Sequence, residues 1–93
     1  MFLINSAKYD DLKLKFGAAS PANCRSKYDL VMNYYISEGI TTGTMADRER
    51  EWLVTQIGAP TAGTLADLWK IYLVDTVALS GRLSDMIRTW LRS

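Results

Sequence analysis

A chain of 93 residues has the length of one small domain, and its 48% hydrophobic and 23% charged side chains exclude a disordered chain. Eleven basic against ten acidic side chains give a net charge of +1, without the basic excess of a dedicated nucleic-acid binder. There is no histidine and one cysteine, Cys24, so an internal disulfide, a clustered zinc site and an imidazole-activated thiol are all excluded.

The opening MFLIN is too short and too uncharged for a secretory leader, and no apolar run reaches the roughly eighteen residues of a membrane span. Within one domain of 1–93, residues 1–7 are a candidate docking arm, the alternative being that they belong to the core. A first helix is expected over 8–16, closed by Gly17. Lys8 stands where a capping hydroxyl belongs, so this start is weak or its cap moves to Ser6. AASPANCR, residues 18–25, is the longest irregular piece.

The second helix, over 26–38, opens with Ser26-x-x-Asp29 and stops at Gly39. The third, over 45–57, opens with Thr44-x-x-Asp47 and stops at Gly58. The fourth, over 65–76, opens with Thr64-x-x-Asp67. In each start the hydroxyl accepts from an early backbone amide and the acid reaches back, as in a capping box. Gly39 and Gly58 suit left-handed helix ends. Arg48-Glu49-Arg50-Glu51 reads as a solvated, ion-paired face. The fifth helix, over 83–92, has Arg82 in place of the hydroxyl and a poorer cap.

One phrase recurs along the chain. GTMADREREWL at 43–53 and GTLADLWKIYL at 63–73 share their opening and their aromatic-Leu close. An Asp followed five positions later by an aromatic occurs at Asp11/Phe16, Asp29/Tyr34, Asp47/Trp52, Asp67/Tyr72 and Asp85/Trp90, with Asp-to-Asp spacings of 18, 18, 20 and 18. A period near 20 lies at the short end of repeat architectures. Leu65, Leu68, Trp69, Tyr72 and Leu73 occupy one helical face, and Leu83, Met86, Ile87, Trp90 and Leu91 repeat it. Helices this short are marginal alone, so their aromatic faces must hide against each other. The expected fold is all-α: five short helices in a tandem repeat, one array spanning 1–93.

Chemistry is sparse. The acids sit at helix starts, where capping explains them, and no Gly-rich phosphate loop is present. No catalytic, cofactor-binding or metal residue is expected, and no cofactor. The last helix gathers Arg82, Arg88 and Arg92 against Asp85, which keeps open a small nucleic-acid-binding regulator as the alternative function.

Tandem units of the form GT-x-AD-x4-WL and GT-x-AD-x4-YL resemble those of small accessory virion proteins of tailed bacteriophages. The resemblance covers residues 26–93, most clearly GTMADREREWL, GTLADLWKIYL and RLSDMIRTWL, and the first unit departs from it. It implies a non-enzymatic helical part of the head, connector or tail. Such a part is assembled in the host cytoplasm, carried in the virion and docked on other virion structural proteins as an oligomer or symmetric assembly, without membrane or nucleic acid. Aromatic and apolar side chains left over from the core would form the interface. The candidates are Phe2, Leu3 and Ile4 in the arm, with Tyr9, Tyr28, Tyr35 and Trp69.

Overall fold

The computed structural model describes residues 2–19, 25–58 and 62–93. Cys24, Pro60 and most of the AASPANCR connector lie outside the described residues. Six α-helices follow in order: α1 (Phe2–Ser6), α2 (Tyr9–Phe16), α3 (Lys27–Ser37), α4 (Met45–Ile57), α5 (Leu65–Ile71) and α6 (Leu83–Leu91). A 3-10 turn, Gly17–Ala19, extends α2, and a π-helical turn, Tyr72–Thr76, extends α5. No strand occurs among the described residues, and the chain is all-helical.

The helix starts follow their local chemistry. Thr44 accepts from the Asp47 amide at 3.1 Å, and Asp47 accepts from the Thr44 amide at 3.1 Å. Thr64 and Asp67 make the same reciprocal pair at 3.2 and 3.1 Å. Ser26 accepts from the Asp29 amide at 3.1 Å. The Thr44 backbone amide, and after it the Thr44 side chain, stabilise the Asp47 carboxylate and hold it below the usual carboxylate range. Lys8 and Arg82 begin α2 and α6 without a side-chain cap, and Ser6 belongs to α1 instead.

The helix ends divide. Gly58 closes α4 with φ +86°, and Gly39 follows α3 with φ +84°. Around Gly39 the Ile40 amide returns to the Tyr35 carbonyl at 2.9 Å and the Gly39 amide to Ile36 at 3.0 Å, a Schellman closure. Gly17 differs from expectation: its φ of −61° is right-handed, and the chain carries on into the 3-10 turn. The expected fourth helix keeps its bounds but changes pitch at Tyr72. The wider turn ends where the Leu79 amide reaches the Leu73 carbonyl at 2.9 Å, across Ala78 at φ +65°.

The core is an aromatic hub. Phe16 stacks on Tyr34 at 4.4 Å between ring centroids, Tyr34 meets Trp52 at 5.9 Å, and Trp52 meets Tyr72 at 5.4 Å. Tyr72 meets Trp90 at 5.9 Å, and Trp90 returns to Phe16 at 6.1 Å. The five rings of the Asp-x4-aromatic positions thus form a closed circuit, each touching the next in sequence and the last touching the first. Edge-on and tilted contacts of this kind add to the area that the rings bury. Leu12, Leu30, Leu53, Leu68, Leu73 and Leu91 fill the space around them and are buried.

Helix contacts follow the circuit, with α2 packed on α3 and on α6, α3 on α4, and α4 on α5. The contact of α2 with α6 departs from nearest-neighbour stacking. A structural repeat does not follow from the coordinates. Only α4 and α5 carry the full capping box, α5 alone turns π-helical, and α1 stands outside the recurrence.

Residues 2–6 are not an arm in this chain. They form α1, which packs against α3 and buries Leu3. The physical reason lies in α4, where the Glu49 carboxylate accepts from the backbone amides of Phe2 and Leu3 at 2.9 and 2.8 Å. Those amides are donors that the start of a helix leaves unsatisfied.

Candidate interaction surface

The surface is what the hub leaves over. On α3, Leu30, Val31 and Tyr35 turn inward. Tyr28, Met32 and Ile36 stand at i, i+4 and i+8, so they line a second stripe of the same helix, about 12 Å long. Tyr28 and Ile36 are each 46% exposed, and Met32 is half-buried at the edge of the core. Leu14, on the outer side of α2, is exposed as well. An apolar ridge on a helix is the element that a groove in a partner accepts through i and i+4 anchors.

The seven expected interface residues fare differently. Tyr28 is the largely exposed one. Phe2, Ile4 and Tyr9 are half-buried and pack on the core. Leu3, Tyr35 and Trp69 are corrections, because all three are enclosed in the chain's own core at 1% exposure or less. Leu3 is the apolar anchor of α1. Tyr35 lies on the inward side of α3 against Trp52, at 6.2 Å between ring centroids. Trp69 does not face outward: its ring meets Trp52 at 5.6 Å and Trp90 at 5.2 Å, and its indole N–H donates to Glu49 Oε1 at 2.9 Å.

Glu49 is also a correction, since it is no part of a solvated face. It is 1% exposed, and its carboxylate receives α1 and Trp69. The signal was in the recurrence. Counting two residues on from the last four Asp positions gives Val31, Glu49, Trp69 and Ile87, all buried, whereas the first unit has the exposed Lys13 there. A carboxylate at that position must bring its hydrogen-bond donors with it. Its neighbours in the run serve the loops. Arg48 donates to the carbonyls of Gly43, Ile40 and Thr41 at 3.0, 3.3 and 3.1 Å, and Arg50 donates to the Gly63 carbonyl.

Two shallow grooves complete the surface. One of about 320 Å³ runs between the end of α3 and the middle of α4, with Glu38, Glu51, Thr55 and Gln56 around Trp52. The other, of about 310 Å³, follows α5 and the π turn past Asp67, Lys70, Ile71, Val74 and Asp75. Beside the first groove Tyr34 donates to Glu38 at 3.0 Å. Burial, with that bond and the Glu38 charge, pushes the Tyr34 hydroxyl up to about 12. Burial also raises Tyr72, and burial with the Glu49 charge raises Tyr35. Among the described residues no three His, Cys, Asp or Glu side chains converge as metal ligands do. None of the described helices is long and apolar enough to cross a membrane.

The basic character of α6 is largely answered within the chain. Arg88 pairs with Asp85 at 3.4 Å, and Arg92 reaches Asp11 on α2 at 3.2 Å. Comparison with family models, with curated proteins and with solved structures finds no match to this chain.

Proposed function

We infer that this protein is a non-enzymatic, protein-binding structural part of a tailed-bacteriophage virion, docked on other virion proteins. The single observation that carries the binding reading is the apolar stripe Tyr28–Met32–Ile36, which α3 holds outward on a body whose core is already filled. The virion setting is supported by the resemblance of the Gly-Thr-x-Ala-Asp units. Adhesion by burial of that stripe needs no bound group and no proton transfer. The test has two arms. Mass spectrometry of purified particles from the phage or prophage that encodes the chain is expected to find it at stoichiometric level. The double substitution Tyr28→Glu, Ile36→Glu is expected to remove it from particles while its circular dichroism stays unchanged. Particles that lack the wild-type chain contradict the virion setting, and particles that retain the variant contradict the stripe.

The alternative is a nucleic-acid reader that uses α6. It is less well supported, because Arg88 and Arg92 already face carboxylates of the same chain. Such a reader would bind duplex DNA with an affinity that falls steeply with salt.

A further inference from the structure

We propose that α1 is a detachable latch, seated on the body by the charge of one buried side chain, Glu49, and able to leave while the aromatic hub stays folded. Three observations meet here. The first is length: α1 has five residues, too few for a helix to persist unless something holds it. The second is how it is held. Phe2 N–H donates to Glu49 Oε2 at 2.9 Å and Leu3 N–H to Oε1 at 2.8 Å, and Oε1 also receives the Trp69 indole N–H at 2.9 Å. Bonds from neutral donors to an ionised oxygen are stronger than neutral pairs, and they depend on that charge. The apolar share of the seat is the buried Leu3 side chain, with Phe2 and Ile4 half-buried beside it.

The third observation is separability. The five rings of the hub come from α2, α3, α4, the π turn and α6, and α1 supplies none of those ring contacts. Behind α1 the chain passes through Ala7 and an extended Lys8, φ −86° and ψ 151°, into a helix start without a side-chain cap. Lys27 holds the Ala7 carbonyl at 2.7 Å, which fixes the hinge rather than the helix ahead of it. An element joined by an extended hinge, and seated on one carboxylate, on Leu3 and on the half-buried Phe2 and Ile4, opens locally at lower cost than the body unfolds. The Tyr35 ring, from α3, also lies within reach of the Glu49 charge, which with burial opposes its ionisation. The carboxylate therefore faces amides from α1, an indole N–H from α5 and a neutral phenol from α3. Release of α1 uncovers the site of Leu3, the carboxylate and the edge of Trp69.

The test replaces the charge and keeps the shape, as Glu49→Gln in the full chain. The amide offers one acceptor oxygen and adds an N–H2 among N–H donors. The expected result is selective. Leu3 methyl resonances move to free-leucine positions and Trp69 indole exchange accelerates at least about tenfold, while Trp90 indole exchange and the helical dichroism of the body are retained. Leu3→Ala, which weakens the same seat from the other side, is expected to accelerate Trp69 indole exchange likewise, with Trp90 exchange and the dichroism of the body retained and Glu49 intact. Unmoved Leu3 and Trp69 signals in Glu49→Gln overturn the proposal. Loss of the whole fold in that variant overturns it as well, whatever Leu3→Ala does, because the carboxylate would then support the body and not the latch.

Discussion

Two parts of the interior are built on opposite principles. The hub joins five rings from consecutive stretches of chain by contact alone, and its cohesion follows from the area buried. The Glu49 seat joins α1, α4 and α5 through three directed hydrogen bonds to one carboxylate. The hub tolerates a loose polar end: the buried Tyr35 hydroxyl, whose ring packs against Trp52, has no hydrogen-bond partner among the described residues. The seat cannot, because a buried charge without donors is far more costly than a buried phenol. Shape therefore dominates in one place and charge in the other.

That contrast can be broken most forcefully at the centre of the hub. Trp52 touches Tyr34, Tyr35, Trp69, Tyr72 and Trp90, so Trp52→Ala is expected to cost about 3–5 kcal/mol, read from denaturant midpoints. A chain of this size has roughly 5–14 kcal/mol in total, so the variant is expected to populate unfolded forms. A cost below about 1 kcal/mol would show that the rings are not the core.

A smaller effect sharpens the comparison from outside both regions. Arg82 starts α6 without a side-chain cap, whereas Thr64 caps α5, so Arg82→Ser is expected to stabilise by about 1 kcal/mol and Thr64→Ala to destabilise by about the same. Equal Tm values for both variants and wild type would sink the capping account. At Tyr35 the hub predicts tolerance. Tyr35→Phe deletes a hydroxyl that has no partner and is expected to be neutral or to stabilise by up to about 1 kcal/mol. A clear loss of stability would mean that the hydroxyl is satisfied in solution.

The last effect is read in alkali. Tyr34, Tyr35 and Tyr72 are all held protonated above the ordinary tyrosine range, with Tyr34 pushed up to about 12. Between the unfolded value near 10 and the raised folded values, the native state binds more protons than the unfolded one. Stability from these groups is therefore complete below about pH 10 and is lost as pH rises toward about 12. Thermal melts should show that decline, with tyrosinate absorbance lagging until unfolding releases it. Tyrosinate formation of all five side chains near pH 10, with the fold intact, would contradict it.

Much of this architecture was legible in the sequence. Hydroxyl-x-x-Asp marks three helix starts because the cap is local, and Asp-x4-aromatic marks the hub because one helical face repeats. What escaped was long-range. Glu49 reads as surface among Arg48, Arg50 and Glu51 until its register with Val31, Trp69 and Ile87 is counted. Two donors at the start of the helix Phe2–Ser6 are met by a residue 46 or 47 positions away. Gly17 has the residue type of a helix stop, yet its right-handed φ lets the turn continue. Of the exposed apolar stripe on α3, the sequence reading names Tyr28 and misses Ile36. Its spacing of four from Met32 and eight from Tyr28 was the available sign.

The central claim is that the rings close into a circuit, and the contact between the first and the last of them tests it most directly. Nuclear Overhauser spectra of the folded chain are predicted to connect the ring protons of Phe16 with those of Trp90, whose centroids lie 6.1 Å apart across 74 residues of chain. Absence of that cross-peak, with the Trp90 indole exchanging at the rate of free tryptophan, would contradict the account.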